Sequence, residues 1–144
     1  MDITYPNPWD FTDSDLNLTS PDGKYKVDYE NFGEIAMGSP IGGRYTITIA
    51  NKIFIISDWA SGPVIWNKES TKVAFPSWTK NRKQKVTVAD IDNLTITIYK
   101  LEFRVLHITG FTNNIITGID SPIYKAKEII FNIENEVVEK TILL

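Results

Sequence analysis

Apolar and polar residues alternate with a period of two through most of the chain. Tyr25, Val27 and Tyr29 alternate with Lys26, Asp28 and Glu30, the mark of a strand with one wet face. Arg44-Tyr45-Thr46-Ile47-Thr48-Ile49 alternates in the same way, and the short turn Ala50-Asn51 joins it to Lys52-Ile53-Phe54-Ile55-Ile56 as a hairpin. Further on, Lys85–Asp90 and Leu94–Tyr99 read as strands joined through Asp92-Asn93, and Phe103–Thr109 follows, ended by Gly110. Ile115-Ile116-Thr117 and Ile119 begin another pairing. Glu128–Ile133 and Glu136–Ile142 flank Glu134-Asn135, which predicts a closing hairpin between them. Ile, Val and Thr are abundant and sit well on a pleated sheet. No stretch keeps a helical period over three turns. The pattern predicts an all-β protein of about ten to twelve short strands.

Residues 1–18 break the pattern. Pro6 and Pro8 block a regular ladder, so the segment reads as an irregular arm on a single domain spanning residues 1–144. At 144 residues, with 42% hydrophobic positions, the chain can bury a sizeable core. The longest apolar runs fall far short of the roughly 20 residues a membrane helix needs. The N-terminus lacks the basic start and apolar stretch of a signal peptide, and cysteine is absent. These features predict a cytoplasmic protein without a membrane partner. A formal charge of −3 argues against nucleic acid and suits a basic partner. The basic cluster Lys80–Lys85 reads as a solvated hairpin loop.

Candidate chemistry is sparse. Gly38-Ser39-Pro40-Ile41-Gly42-Gly43-Arg44-Tyr45 has the spacing of a phosphate-binding loop, but Arg44 and Tyr45 replace the lysine and the hydroxyl. Asp13-Ser14-Asp15-Leu16-Asn17 starts like a calcium loop, yet Leu18 stands where glycine is required. His107 is the single histidine, mid-strand, with nothing to make it a catalytic base. One histidine and no cysteine exclude the usual zinc ligand sets. The sequence therefore predicts no catalytic residues, no metal site, no cofactor and no enzyme. Ser57-Asp58-Trp59-Ala60-Ser61-Gly62-Pro63 reads as a flexible loop carrying an aromatic beside a carboxylate. Trp59 there is either an interface anchor or a cap on the core. Trp78 is a weaker case of the same kind.

One phrase occurs twice. Thr19-Ser20-Pro21-Asp22-Gly23-Lys24-Tyr25-Lys26-Val27 is echoed about 47 positions later by Trp66-Asn67-Lys68-Glu69-Ser70-Thr71-Lys72-Val73-Ala74-Phe75, each a tight polar turn followed by a strand. The second copy, followed by Lys85-Val86-Thr87-Val88-Ala89-Asp90, resembles the start of a TolB-type or WD40-type propeller blade, and Ser20-Pro21-Asp22-Gly23-Lys24 resembles the turn those families favour. Thr19 stands where the blade has tryptophan. A propeller closes with about four to eight blades, and this length holds about three. The resemblance implies antiparallel, blade-like sheets in a partial or half propeller, with a sandwich as the alternative. The Pro-rich arm and the Ile-rich C-terminal segment are available as caps, and pairing of two chains into a ring would make a homodimer rather than a monomer.

Small, acidic, cysteine-free β-domains of this character are similar to immunity proteins of contact-dependent growth-inhibition systems. That similarity implies a protein that binds a cognate toxin domain, a basic nuclease for example, and occludes its active site. The candidate contacts are Asp10, Asp13 and Asp15 on the arm, Glu30 and Glu34 on the first hairpin, and Asp58 with Trp59. The alternative is a carbohydrate- or small-ligand-binding domain with Trp59, Trp66 and Trp78 as stacking platforms. A hydrolase on a small β-scaffold ranks last.

Overall fold

The computed structural model describes residues 8–9, 18–34, 40–121 and 126–144. The predicted contacts Asp10, Asp13 and Asp15 lie outside them. Within them the chain is all-β and antiparallel. Its strands are β1 (Val27–Glu34), β2 (Ile41–Ile49), β3 (Lys52–Ala60), β4 (Ile65–Trp66), β5 (Lys72–Trp78) and β6 (Gln84–Asp90), then β7 (Thr95–Phe103), β8 (Leu106–Thr112), β9 (Ile115–Asp120), β10 (Lys127–Asn132) and β11 (Val138–Leu143). An eight-stranded sheet runs β1-β2-β3-β5-β6-β7-β11 with β4 beside β5, and a three-stranded sheet runs β10-β9-β8. Neither closes on itself. Ala50 and Asn51 both take left-handed backbone angles, as a two-residue hairpin turn requires.

The large sheet has a weak seam. β3 meets β5 through the single pair Ala60↔Ser77, whereas β2–β3 and β5–β6 pair along most of their length. The β1–β2–β3 part folds back over the other half, and one core fills the space between them: Val27, Tyr29, Tyr45, Ile47 and Ile56 against Val73, Phe75, Ala89 and Ile96. The alternate residues Ala74, Val86 and Val88 face the opposite way, into a second core with Leu106, Ile108, Phe111, Ile116 and Phe131. β5 and β6 are thus buried on both faces, which is why Val73–Pro76 and Val86–Ala89 are continuously buried.

The two copies of the repeated phrase fold into equivalent hairpins. Thr19 bridges Lys26 in the first, and Trp66 pairs with Val73 in the second. The Ser20 N–H donates to the Tyr25 carbonyl (2.8 Å) and the Asn67 N–H to that of Lys72 (2.9 Å). Gly23 and Ser70 hold the same left-handed position, at φ of 76° and 61°. The hairpins also touch: the Asp22 N–H donates to Ser70 Oγ at 3.0 Å, Trp66 Nε1 donates to the Leu18 carbonyl at 3.3 Å, and Tyr25 stacks on Trp66. In the first turn the Ser20 hydroxyl and the Lys24 N–H both donate to the Asp22 carboxylate and hold its pKa below the ordinary value. In the second, Asn67 Oδ1 accepts from the Thr71 and Lys72 N–H groups. Asn67→Ala is expected to lower stability by about 1–3 kcal/mol in urea unfolding, because two backbone donors lose their acceptor. Lys68→Ala, exposed on the same turn, should move it by less than about 0.5 kcal/mol.

Three expectations are corrected. The strand Phe103–Thr109 is divided, with Phe103 ending β7 and β8 running from Leu106 through Gly110 to Thr112. Ser57–Ala60 is not a loop but the second half of β3, entered through a bulge where Ile56 and Ser57 together oppose Tyr45. The closing hairpin does not form either. β10 pairs with β9, and β11 crosses to the large sheet and pairs with β7, capping an edge that would otherwise stand open.

Candidate functional site

The strand register gathers three of the expected contacts on one sheet face. Asp28, Thr46 and Ile55 are successive cross-strand partners, and so are Thr48 and Ile53, so their side chains share a side of β1–β2–β3. Glu30 and Arg44, paired with each other and two residues from Asp28 and Thr46, share it as well. Arg44 Nε reaches Asp58 Oδ1 at 3.2 Å and carries the face on to the end of β3. Phe54 and Ile56 point the other way, into or against the core. The resulting face carries the carboxylates of Asp28, Glu30 and Asp58 beside uncovered Ile53 (74% exposed), Ile55 (50%) and Trp59 (48%). Glu34 closes β1 opposite Ile41.

Buried tyrosines fix the segment that presents Trp59. The Tyr29 hydroxyl donates to the Ala60 carbonyl at 3.2 Å and the Tyr45 hydroxyl to that of Ser61 at 2.7 Å. Their rings meet edge-on, with centroids 4.7 Å apart, and Tyr45 packs edge-on against Phe75 at 4.9 Å. Burial raises the Tyr29 pKa above the ordinary phenol value, so this hydroxyl stays a donor across the neutral range. On the other side, the Ser61 N–H donates to the Pro76 carbonyl at 2.8 Å. Trp59 therefore projects from a backbone held at both of its following residues.

Beside this face the seam opens into a cleft. Because β3 and β5 pair only at Ala60↔Ser77, the strands part from that point and leave a space of about 280 Å³. Ile55, Trp59 and Asp58 of β3 line one side, Trp78 of β5 and Ile98 of β7 the other, and Ile142 of β11 completes it. Asp58 is the one charged residue among its lining. Ser77 and Thr87 hydroxyls at the floor bond each other at 2.7 Å.

The other candidates fall elsewhere. Trp66 is buried and its indole N–H is bonded to Leu18, so the three-tryptophan platform does not form. Trp78 is buried, at 7% exposure, and only borders the cleft. His107 lies half-buried on β8 opposite Ile119, and desolvation lowers its pKa, which favours the neutral ring. Among the described residues no group of three or more histidines and carboxylates is placed to hold a metal ion, and no helix is long and apolar enough to cross a membrane.

Sequence reasoning did not find Ile53, Ile55, Ile98 or Ile142. Ile53-Phe54-Ile55-Ile56 reads as an apolar strand, with no wet face marked by its own residues. The available signal was Thr48, polar and exposed opposite Ile53. Comparison with protein-family models, with curated proteins and with solved structures gives no match.

Proposed function

We propose that the protein is a non-enzymatic protein-binding module that uses the β1–β2–β3 face to cover a basic partner. The observation that carries this reading is Trp59, half-exposed beside Asp58 on a strand fixed from behind by Tyr29 and Tyr45. An aromatic anchor on rigid backbone loses little entropy on binding. Asp28, Glu30 and Asp58 around it supply the field that steers a basic surface. Uncovered Ile53 and Ile55 add apolar area that water does not favour.

The narrower form of the proposal is an immunity protein acting in the cytoplasm, which occludes the active site of a toxin domain such as a basic nuclease. Two equivalent hairpins in successive parts of the large sheet, followed by a separate three-stranded sheet, support the half-propeller reading of its scaffold. An open array of this kind keeps a broad face free for a partner.

The test is co-expression with the toxin domain encoded beside this gene. The wild-type chain should abolish toxicity and bind the domain at nanomolar affinity or tighter. Trp59→Ala should weaken binding by about 30-fold or more, the loss of a hot-spot residue, with the fold unchanged by circular dichroism. A neighbouring gene that encodes no toxin, or toxicity that persists, overturns the immunity reading. The second reading, a sugar- or small-ligand-binding domain, draws on the cleft, where the exposed Trp59 ring meets a carboxylate and hydroxyls. A glycan bound through Trp59 would favour it.

A further inference from the structure

We propose that the cleft at the β3–β5 seam is the seat of a single arginine side chain of the partner; this rests on the protein-binding reading above. Its size selects the occupant. About 280 Å³ lies below the usual 300–1,000 Å³ of a drug-sized ligand site and takes one long side chain, not a folded segment. Its walls select the chemistry. Ile55, Ile98 and Ile142 offer an apolar passage for an aliphatic stem, and half-exposed Trp59 offers indole surface. Asp58 is the one charged lining residue and attracts a cation, while it repels phosphate and carboxylate groups.

Arginine satisfies all of these together. Its three methylenes cover the isoleucines, its planar guanidinium stacks on an indole, and its N–H fork meets a carboxylate. Arg44 already shows the geometry in miniature. Its Nε donates to Oδ1 of Asp58 at 3.2 Å, which leaves Oδ2 for an incoming guanidinium. The Arg44–Asp58 pair is open to solvent, at 40% and 75% side-chain exposure, so sharing the carboxylate loses little. A neutral apolar side chain would fill the passage but leave Asp58 without a cationic partner from the ligand.

The test uses the full chain and small probes. The indole N–H resonances are followed by NMR during titration with N-acetyl-arginine amide, N-acetyl-lysine amide and N-acetyl-norleucine amide. Arginine should shift the Trp59 signal saturably in the millimolar range and leave that of buried Trp66 in place. Lysine should act more weakly, and norleucine should give no saturable shift. Asp58→Asn should weaken the arginine titration about five-fold, on the scale of one exposed charge contact. Norleucine equal to arginine, a non-saturating shift, or indifference to Asp58→Asn overturns the proposal. A toxin that binds through this face, yet shows no arginine whose removal couples to Asp58→Asn, overturns the arginine seat and leaves the protein-binding reading intact. Saturable arginine binding with no toxin neutralised supports the seat and removes the immunity reading.

Discussion

Phe75→Ala is expected to destabilise the protein by about 3–5 kcal/mol, the range for truncating a fully buried phenylalanine. Phe75 stands on β5 at the centre of the first core and meets the Tyr45 ring edge-on. The cavity left by its ring opens between two halves of the sheet whose strand ladder is continued by a single residue pair, Ala60↔Ser77. Neighbouring side chains can fill only part of it. Total stabilities of small domains are about 5–15 kcal/mol, so the loss is a large fraction. In urea the midpoint should fall with the slope preserved, and Ile53→Ala on the exposed face, as control, should stay within about 0.5 kcal/mol. A loss under about 1.5 kcal/mol for Phe75→Ala would contradict a core shared by the two halves. The variant should also loosen the site, because Tyr45 holds Ser61, two residues beyond Trp59.

The second large effect concerns two glycines that look alike in sequence. A Cβ on Gly118 would stand 2.7 Å from the His107 carbonyl oxygen and 3.3 Å from the Ile108 Cα, both backbone of β8. The β8–β9 ladder would have to part, so Gly118→Ala should cost about 3 kcal/mol, at the upper end for overpacking. A Cβ on Gly110 would meet Thr117 Oγ1 at 2.6 Å, but that atom ends a side chain that can rotate. Gly110→Ala should cost less than about 1 kcal/mol. Urea unfolding of the two variants side by side decides the matter. A Gly110 variant less stable than the Gly118 variant would show that the β8–β9 approach is not what requires glycine.

The parts of this fold that local chemistry determines were legible in the chain. Ala50-Asn51 predicted its hairpin because it is a short break between two apolar runs, and both residues take the left-handed angles such a turn requires. The repeated phrase predicted two like turns, and Gly23 and Ser70 occupy the same left-handed position in them. The failure at the closing hairpin comes from partners distant in sequence. Glu134-Asn135 does lie in a turn, with the Asn135 and Glu136 N–H groups bonded to the Asn132 carbonyl, but the strands it joins take different neighbours. The bulge at Ile56 and Ser57 broke the alternation just where Pro63 and Gly62 signalled a loop, which hid the strand that carries Asp58 and Trp59. Those two residues stood out by chemistry alone. The cleft beside them did not, because it depends on where β3 parts from β5 and on which strand arrives to face it.

The arrival of β11 has a consequence for assembly. β7 is left with an unpaired edge while β8, β9 and β10 are being made, and the strand that covers this edge comes only after them. Closing so long an excursion is entropically slow compared with the neighbouring hairpins. Ile142, carried by that late strand, is also a wall of the cleft. A nascent chain can thus form its repeated hairpins early and still lack a finished cleft. The cleft is completed by the last pairing event of the described chain, not by the appearance of Trp59.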